Sequence, residues 1–140
     1  MNVTFIAHSA FLVEWDKFYT LFDYTYEPDY TGALPELSGD KPLLVFSSHS
    51  HEDHFDAKVF TLLEKYPDAR FFVSRDTRLT ERKRQWLNIS DAAFARTTVL
   101  RPDSILLTDV AGEDLSIRTI KSTDIGNAYL LRCEGKMVYH

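Results

Sequence analysis

The chain has 140 residues, of which 44% are hydrophobic and 14% aromatic, so it suits a single domain with a sizeable core. Its net charge of −5 argues against a general nucleic-acid binder, and its single cysteine, Cys133, excludes an intramolecular disulfide. No apolar run approaches the roughly 20 residues that would span a bilayer, and the first residues lack the basic segment of a signal peptide. We therefore expect a cytoplasmic enzyme or binding protein that does not associate with membranes.

The first third of the chain predicts strands followed by a long loop. Short β-branched or aromatic runs predict three strands, over 3–8, 10–15 and 18–24, joined by tight turns. The stretch 25–42 is rich in Pro, Gly and Asp and is predicted as a loop, whose length favours a functional role. The apolar run "PLLVF" (42–46) then predicts a strand that is buried on both faces.

The rest of the chain alternates between helical and extended patterns. Apolar spacing predicts a helix over 55–67, with Asp56 as its N-cap and Pro67 at its end. A second helix is predicted over 75–87, with Leu79, Trp86 and Leu87 facing inward. The remaining strands are predicted at 69–74, 97–100, 104–107, 115–121, 127–135 and 136–140. This order of elements predicts a mixed α/β (α+β) domain built in layers.

Four potential metal ligands follow the apolar strand in "LLVFSSHSHEDHFD": His49, His51, Asp53 and His54. The order of strand, loop and helix places them at the carboxyl end of a buried strand, where open sheets commonly carry their chemistry. Imidazole and carboxylate together suit zinc, manganese or iron. His49 and His51 can turn to one metal, and Asp53 and His54 can face a second. The alternative, polar groups near a helix start with no ligand, is less favoured for four such residues together.

The spacing His-x-His-x-Asp-His at residues 49–54 resembles the hallmark of the metallo-β-lactamase superfamily, most closely the metal-dependent hydrolases similar to ascorbate-6-phosphate lactonase. The segments 4–24 and 115–140 also resemble parts of that family. The resemblance implies a four-layer αβ/βα sandwich with two divalent metal ions, zinc first and manganese or iron next. It also implies that Asp23 supports the metal loop from behind. Residues 1–140 are then expected to be the first half to two-thirds of the domain, incomplete at the C-terminus.

One part of the chain departs from the pattern of that family. The resemblance implies a third histidine for the first metal in the segment 121–129, where this chain has Ser122, Thr123 and Asp124. A carboxylate oxygen binds zinc at nearly the same distance as an imidazole nitrogen, so Asp124 is a candidate replacement. Asp124 is equally well explained as the first residue of a turn at "DIGN".

Three further residues are candidates for substrate contact. The resemblance places His8 near the site, although it is as well explained as a polar residue in a hairpin turn. Tyr24 and Tyr26, with Tyr30, lie on the long loop and either line the mouth of a pocket or pack within the loop. The basic residues of the second predicted helix are better explained as a solvated face than as an anion-binding or nucleic-acid-binding surface: Arg75, Arg78, Arg82, Lys83 and Arg84.

These features together predict a metal-dependent hydrolase that uses a metal-activated water on an ester, lactone or phosphoester. Asp53 is expected to act both as a metal ligand and as the proton acceptor for that water. The alternatives are a non-catalytic metal-binding or structural remnant and an RNA-processing nuclease of the same superfamily. We expect a small-molecule substrate rather than nucleic acid, and an anion is one candidate. Half of a sandwich leaves an apolar sheet face uncovered, so a homo-oligomer is also expected.

Overall fold

Two β-sheets form the centre of the fold. The computed structural model describes residues 1–140. The first sheet contains, side by side in chain order, β1 (Asn2–Ala7), β2 (Ala10–Glu14), β3 (Tyr19–Phe22), β4 (Leu43–Ser47), β5 (Arg70–Ser74) and β6 (Thr97–Leu100). The second sheet contains β7 (Ile105–Val110), β8 (Glu113–Lys121), β9 (Asn127–Cys133) and β10 (Lys136–Tyr139). The predicted mixed α/β class is confirmed.

The direction of pairing explains the different burial of the two sheets. Strands β1 to β3 pair antiparallel, β3 to β6 pair parallel, and the second sheet is antiparallel throughout. All five residues of β4 are buried, as the apolar run predicts, because parallel strands are covered on both faces. In β9, by contrast, buried and more accessible positions alternate, because only one face of that sheet is covered.

The helices are short and lie on one face of the first sheet. A 3₁₀ segment (Ala57–Thr61) leads directly into α1 (Leu62–Lys65), and later come α2 (Glu81–Trp86) and α3 (Asp91–Ala95). Asp56 caps the first of them as predicted, since its side chain accepts a hydrogen bond from the Lys58 backbone N–H. None of the helices has the length and apolar run that crossing a membrane would need.

The predicted single helix over 75–87 is wrong. The chain forms a 3₁₀ turn at Arg75–Thr77, then adopts a left-handed conformation at Arg78 with φ 50°, and α2 begins only at Glu81. Thr80 starts this new helix because its hydroxyl accepts a hydrogen bond from the Lys83 N–H. The break turns the helix so that Trp86, predicted to face inward, is 78% exposed.

Two further differences from the predicted elements arise from short local features, a helix cap and a two-residue turn. The helix α3 was not predicted; it has only five residues and starts at Ser90, whose hydroxyl accepts from the Ala93 N–H. The strands predicted at 104–107 and 115–121 left a loop around "VAGED" (110–114); in the structure this loop is a tight hairpin, with Ala111 at φ 53° and Gly112 at φ 81°. A two-residue turn of that kind lets both flanking strands pair to their ends.

Two apolar cores lie on opposite faces of the first sheet. Leu21, Val45 and Phe71 point towards the helices, whereas the residues that follow them, Phe22, Phe46 and Phe72, point towards the second sheet. The rings of Phe22 and Phe46 stack at 5.1 Å, and those of Phe46 and Phe72 stack at 4.8 Å. The alternation of side chains along β3, β4 and β5 therefore ties both layers to the same sheet.

The outer face of the second sheet has no covering layer. Large apolar side chains on it are mostly exposed: Ile105, Leu107, Met137 and Tyr139. The 140 residues thus form three of the four expected layers: the helices, the first sheet and the second sheet.

We expect this face to make the 140-residue chain self-associate. Replacing Leu107 and Met137 by Lys places charge on the exposed apolar surface without touching either core, and should lower the average mass in sedimentation experiments. Gln85→Lys adds a charge at an exposed position on the helical side and should leave self-association unchanged. A wild-type chain that sediments as a monomer at all concentrations would contradict this prediction.

Candidate metal centre

The candidate centre lies at the carboxyl ends of two neighbouring parallel strands. Phe22 and Phe46 are register partners at the ends of β3 and β4, so Asp23 and the loop that begins at Ser48 leave the sheet side by side. The Asp23 N–H donates to the Phe46 carbonyl at 2.8 Å. Asp23 itself has φ 45°, a left-handed conformation that aspartate tolerates better than most residues.

The buried carboxylate of Asp23 holds the histidine loop. Oδ1 accepts from the Ser48 N–H at 2.7 Å, and Oδ2 lies 2.7 Å from His54 Nδ1 and 2.9 Å from His140 Nε2. Burial on its own would raise the pKa of Asp23, but the hydrogen bonds with His140 and His54 outweigh it and lower the pKa from 3.8 to about 2. Asp23 is therefore a carboxylate at neutral pH, and it lies behind the histidine loop, with which it forms hydrogen bonds.

The first ligand group consists of His49, His51 and Asp124, whose potential ligand atoms lie within 4.8 Å of one another. His49 Nε2 lies 3.1 Å from His51 Nδ1, and His51 Nδ1 lies 3.8 Å from Asp124 Oδ2. The other ring nitrogen of His49, Nδ1, lies 2.9 Å from the Ser48 hydroxyl. That contact fixes the ring and leaves Nε2 facing the group, as a ligating histidine requires.

Asp124 reaches this group because Gly126 lets two backbones approach closely. Gly126 has φ 80°, and a Cβ atom there would lie 2.3 Å from the Ser48 carbonyl oxygen and 2.7 Å from His49 Cβ. The Asn127 N–H then donates to the same Ser48 carbonyl at 2.9 Å. The turn that the sequence suggested at Asp124 and the placement of Asp124 beside the histidines are thus parts of one loop.

The second ligand group consists of His8, Asp53 and His54. Asp53 Oδ2 lies 2.9 Å from His8 Nε2 and 3.2 Å from His54 Nε2. His8 lies in the turn between β1 and β2 with φ 48°, and this turn brings it to a residue 45 positions later in the chain. The sequence suggested His8 as a substrate contact; the structure places it among the potential ligands instead.

Both groups have the separations that a metal site needs. Ligand atoms about 2.0–2.1 Å from a tetrahedral zinc ion lie roughly 3.3 Å apart. Two contacts in each group lie between 2.9 Å and 3.8 Å, and all the potential ligand atoms of a group lie within 4.8 Å of one another. The groups are neighbours, since the rings of His49 and His54 are 4.0 Å apart between centroids. The donor set, four imidazoles and two carboxylates, fits two divalent ions.

The protonation of the histidines differs between the groups. Burial lowers the pKa of His49, and the charge of His54 lowers it further, so His49 favours the neutral form that binds a metal. Burial alone would also lower the pKa of His54, but the hydrogen bond and charge of Asp23 outweigh it and raise the pKa. The protonated form is therefore favoured more at His54 than at His49, and a metal at the second group would compete with that proton.

The tyrosines on the long loop are not brought together at the centre. Tyr24 is buried in the core on the helical side, and its hydroxyl donates to the Gly32 carbonyl at 3.2 Å. Tyr26 packs against the same core. Of the two alternatives given for Tyr24 and Tyr26, these contacts favour packing over lining a pocket, because the apolar core takes up their rings. Tyr30 alone lies at the centre, with its ring 5.0 Å from that of His8.

Two residues at the centre were not singled out in the sequence. His140 contacts Asp23 Oδ2 and stacks on Phe22 at 4.7 Å. Asp76 accepts from the Ser50 N–H at 2.8 Å and so holds the histidine loop from the side of β5. With His140, all five histidines of the chain lie at the centre. The resemblance of the segment 115–140, which ends at His140, could have pointed to this residue.

The close approach at Gly126 gives a stability prediction with a matched control. Gly112 has φ 81°, but a Cβ added there would meet no atom within 4 Å, so Gly112→Ala should cost only the left-handed backbone penalty, about 1–2 kcal/mol. Gly126→Ala adds a backbone clash and should lower the free energy of unfolding by about 1–3 kcal/mol more in urea titrations. Equal losses for the two variants would show that the approach of Gly126 to Ser48 is not tight.

The lowered pKa of Asp23 predicts a specific acid sensitivity. The pKa of this carboxyl is about 2 in the folded state and near the ordinary 3.8 in the unfolded chain. The stabilisation that the ionised carboxylate gives is therefore complete above pH 3.8 and is lost as the pH falls towards 2. The loss should be about 2 kcal/mol. Urea titrations between pH 2 and pH 4 should show that the free energy of unfolding falls less with decreasing pH in Asp23→Asn than in wild type. Asp68→Asn, in an exposed turn, is the control and should show the pH dependence of the wild type. The same pH dependence in Asp23→Asn would contradict a lowered pKa at Asp23.

No protein-family model and no curated protein matches this sequence. Solved structures do match. A protein of unknown function from Enterococcus faecalis V583 aligns with 96% of this chain and 40% of its own, with a TM-score of 0.55 and 15% identity. The metallo-beta-lactamase fold protein YhfI from Bacillus subtilis aligns with 95% of this chain and 54% of its own, at a TM-score of 0.51 and 13% identity. The chemotaxis sensor ODP, solved as a peroxy diiron species, aligns with 87% of this chain and 48% of its own, with a TM-score of 0.50 and 11% identity.

The chain thus spans about half the length of the solved structures that it matches, from 40% to 54%. The TM-scores show similarity of fold alone, and at identities this low they do not support the ascorbate-6-phosphate lactonase branch. The paired sheets, the helices on one face and the histidine loop at the end of β4 together agree with the similarity to YhfI. The chain has the metallo-β-lactamase fold, in part.

Proposed function

We propose that this chain belongs to a metal-dependent hydrolase and carries most of its metal-binding residues. The observation that supports the proposal is the pair of ligand groups, His49–His51–Asp124 and His8–Asp53–His54, side by side at the carboxyl end of the parallel strands. Residues 1–140 are proposed to be one part of a larger domain, which can supply further ligands and the walls of the substrate site.

The side chains divide the work between binding and orientation. His49, His51 and Asp124 would hold one ion, and His8, Asp53 and His54 would hold the other. Two bound divalent ions supply Lewis acidity, which lowers the pKa of a water molecule and polarises an ester or phosphoester oxygen. Asp23 and Ser48 orient His54 and His49 through their Nδ1 atoms.

Asp53 is the proposed proton acceptor. Burial would raise its pKa, but the hydrogen bond with His8 and the charge of His54 lower the pKa, so Asp53 is ionised at neutral pH. Its Oδ2 atom faces both His8 and His54. An ionised carboxylate in this position can take a proton from water during hydrolysis of an ester, lactone or phosphoester.

Zinc is the first candidate metal, because four of the six potential ligands are imidazoles. The two carboxylates make the set harder than an all-histidine set, which favours manganese or iron as alternatives. The diiron species described for the sensor ODP, which shares this fold, supports iron as the second candidate.

Metal content tests the two ligand groups separately. We expect about two zinc equivalents for the full chain by elemental analysis after dialysis, since each group offers three ligands. Asp124→Ala should lose the equivalent held by the first group, and His8→Ala should lose the one held by the second. Asp114→Ala removes a carboxylate from the outer face of β8 and should keep both. Unchanged metal content in Asp124→Ala would assign this residue to the turn alone.

Turnover tests the hydrolase proposal itself. The metal-loaded chain, and any longer protein that contains it, would be assayed with chromogenic esters, phosphomonoesters and phosphodiesters. We expect hydrolysis that a chelator abolishes and that Asp53→Asn lowers strongly, by about 10²–10⁴-fold for a lost general base. Full metal loading without turnover on any of these substrates would contradict the proposal.

A second candidate is a non-catalytic metal-binding role, such as sensing. The similarity to the diiron chemotaxis sensor ODP is the observation that favours it. Anaerobic loading with ferrous iron followed by exposure to oxygen separates the two functions. A new charge-transfer absorption that depends on His8 and His51, without any turnover, would support sensing.

A further inference from the structure

A cavity of about 750 Å³ opens beside the first ligand group, and the proposed hydrolytic site does not use it. Ser50, which lies between His49 and His51 in the chain, forms part of its wall, and Gly126, two residues after Asp124, forms another part. Only one of its nine lining residues is hydrophobic. A molecule bound in this cavity would therefore lie next to the candidate metal centre.

The cavity carries positive charge, although the chain as a whole has a net charge of −5. Arg75, Arg78 and Lys83 line it, against a single carboxylate, Asp76. Arg75 and Arg78 form no ion pair, whereas Arg84, in the helix that follows them, pairs with Glu81 and Asp91. The Lys83 ammonium donates to the Thr77 carbonyl. Three cations and one carboxylate leave a formal surplus of two positive charges.

The backbone around this cavity has features that packing alone does not require. Arg78 has φ 50°, a conformation that costs free energy for a residue with a long side chain and that clusters at functional sites. This break in the helix lets Arg75, before it, and Lys83, after it, line the same cavity. One hydroxyl of the wall, Ser74 Oγ, is buried without a hydrogen-bond partner and can donate to an anion. The other unpartnered atom of the wall, Asp76 Oδ1, only accepts hydrogen bonds and does not favour an anion.

We propose that this cavity binds a phosphate group, and that it is the subsite for a small phosphorylated substrate. A phosphate carries about −1.5 to −2 charges at neutral pH, which matches the surplus of two better than a carboxylate does. Guanidinium groups bind phosphate oxygens through paired, charge-assisted hydrogen bonds, and Arg75 and Arg78 both have free guanidinium groups. The role as a substrate subsite rests on the proposed function, whereas phosphate binding itself does not.

A small ligand fits the charge distribution better than RNA does. A long polyanion needs a basic surface that extends over many phosphates. Here three cations are confined to one cavity in a chain whose net charge is −5. RNA is therefore an outcome that the experiment has to exclude.

The test is isothermal titration calorimetry of the full chain with inorganic phosphate, methyl phosphate and acetate, before and after chelator treatment. We expect phosphate binding that survives the chelator, and affinity at least about tenfold lower when Arg75 and Arg78 are both replaced by Gln. The double variant Arg118→Gln, Arg132→Gln, at exposed positions of β8 and β9, removes the same two charges from the other side of the molecule and should bind as wild type. Arg78→Gly keeps φ 50° accessible, so weaker binding by this variant does not reflect misfolding.

The outcomes separate this inference from the proposed function. Methyl phosphate binding as tightly as inorganic phosphate supports a substrate subsite, whereas binding of inorganic phosphate alone overturns that role. Phosphate binding that disappears with the metal, or that the arginine variants do not change, overturns the cavity assignment while leaving the metal centre intact. Acetate binding as tightly as phosphate overturns the choice of phosphate. If an oligouridylate binds more tightly than methyl phosphate and needs the same arginines, the cavity is an RNA site, and the proposal of a small phosphorylated substrate is overturned.

Discussion

The buried carboxylate of Asp23 is the interaction on which the candidate centre depends. It lies at the end of β3 and accepts a hydrogen bond from the first residue of the loop that follows β4, so it joins two strands and a loop. It also contacts His54 and His140, which come from different parts of the chain. A buried charge is costly unless it is paired and hydrogen-bonded. Asp23 meets that condition only when all of these segments are in place, which couples folding of the sheet to the geometry of the centre.

Four of the ten residues with positive φ lie around the same site. His8, Asp23 and Gly126 all have positive φ and all lie at the candidate metal centre, and Arg78 lies in the adjacent cavity. Such conformations persist only when surrounding contacts compensate for their cost. At His8 and Asp23 the compensation comes from hydrogen bonds to the histidine loop. At Gly126 the absence of a side chain allows the second sheet to touch the loop that follows the first sheet.

The layered architecture explains how the two ligand groups are assembled, each from two histidines and one aspartate. His49, His51, Asp53 and His54 share one loop, because a short loop at the carboxyl end of a buried strand can present several side chains. Each group is then completed from outside that loop, by His8 from the β1–β2 turn and by Asp124 from the loop before β9. One group therefore joins the loop to an antiparallel edge of the first sheet, and the other joins it to the second sheet. Metal binding would stabilise both contacts between layers.

The sequence by itself determined those features that depend on neighbouring residues: the buried strand β4, the cap at Asp56, the cluster of four potential metal ligands and the mixed α/β class. Tertiary structure alone decided that His8 faces Asp53, 45 positions away, and that His140 faces Asp23, 117 positions away. It also decided that Tyr24 packs in the core and that the helix breaks at Arg78. Periodicity and capping act within a few residues, so they can be read from the chain. Contacts between distant segments depend on how the layers pack, and a single sequence does not contain that information in local form.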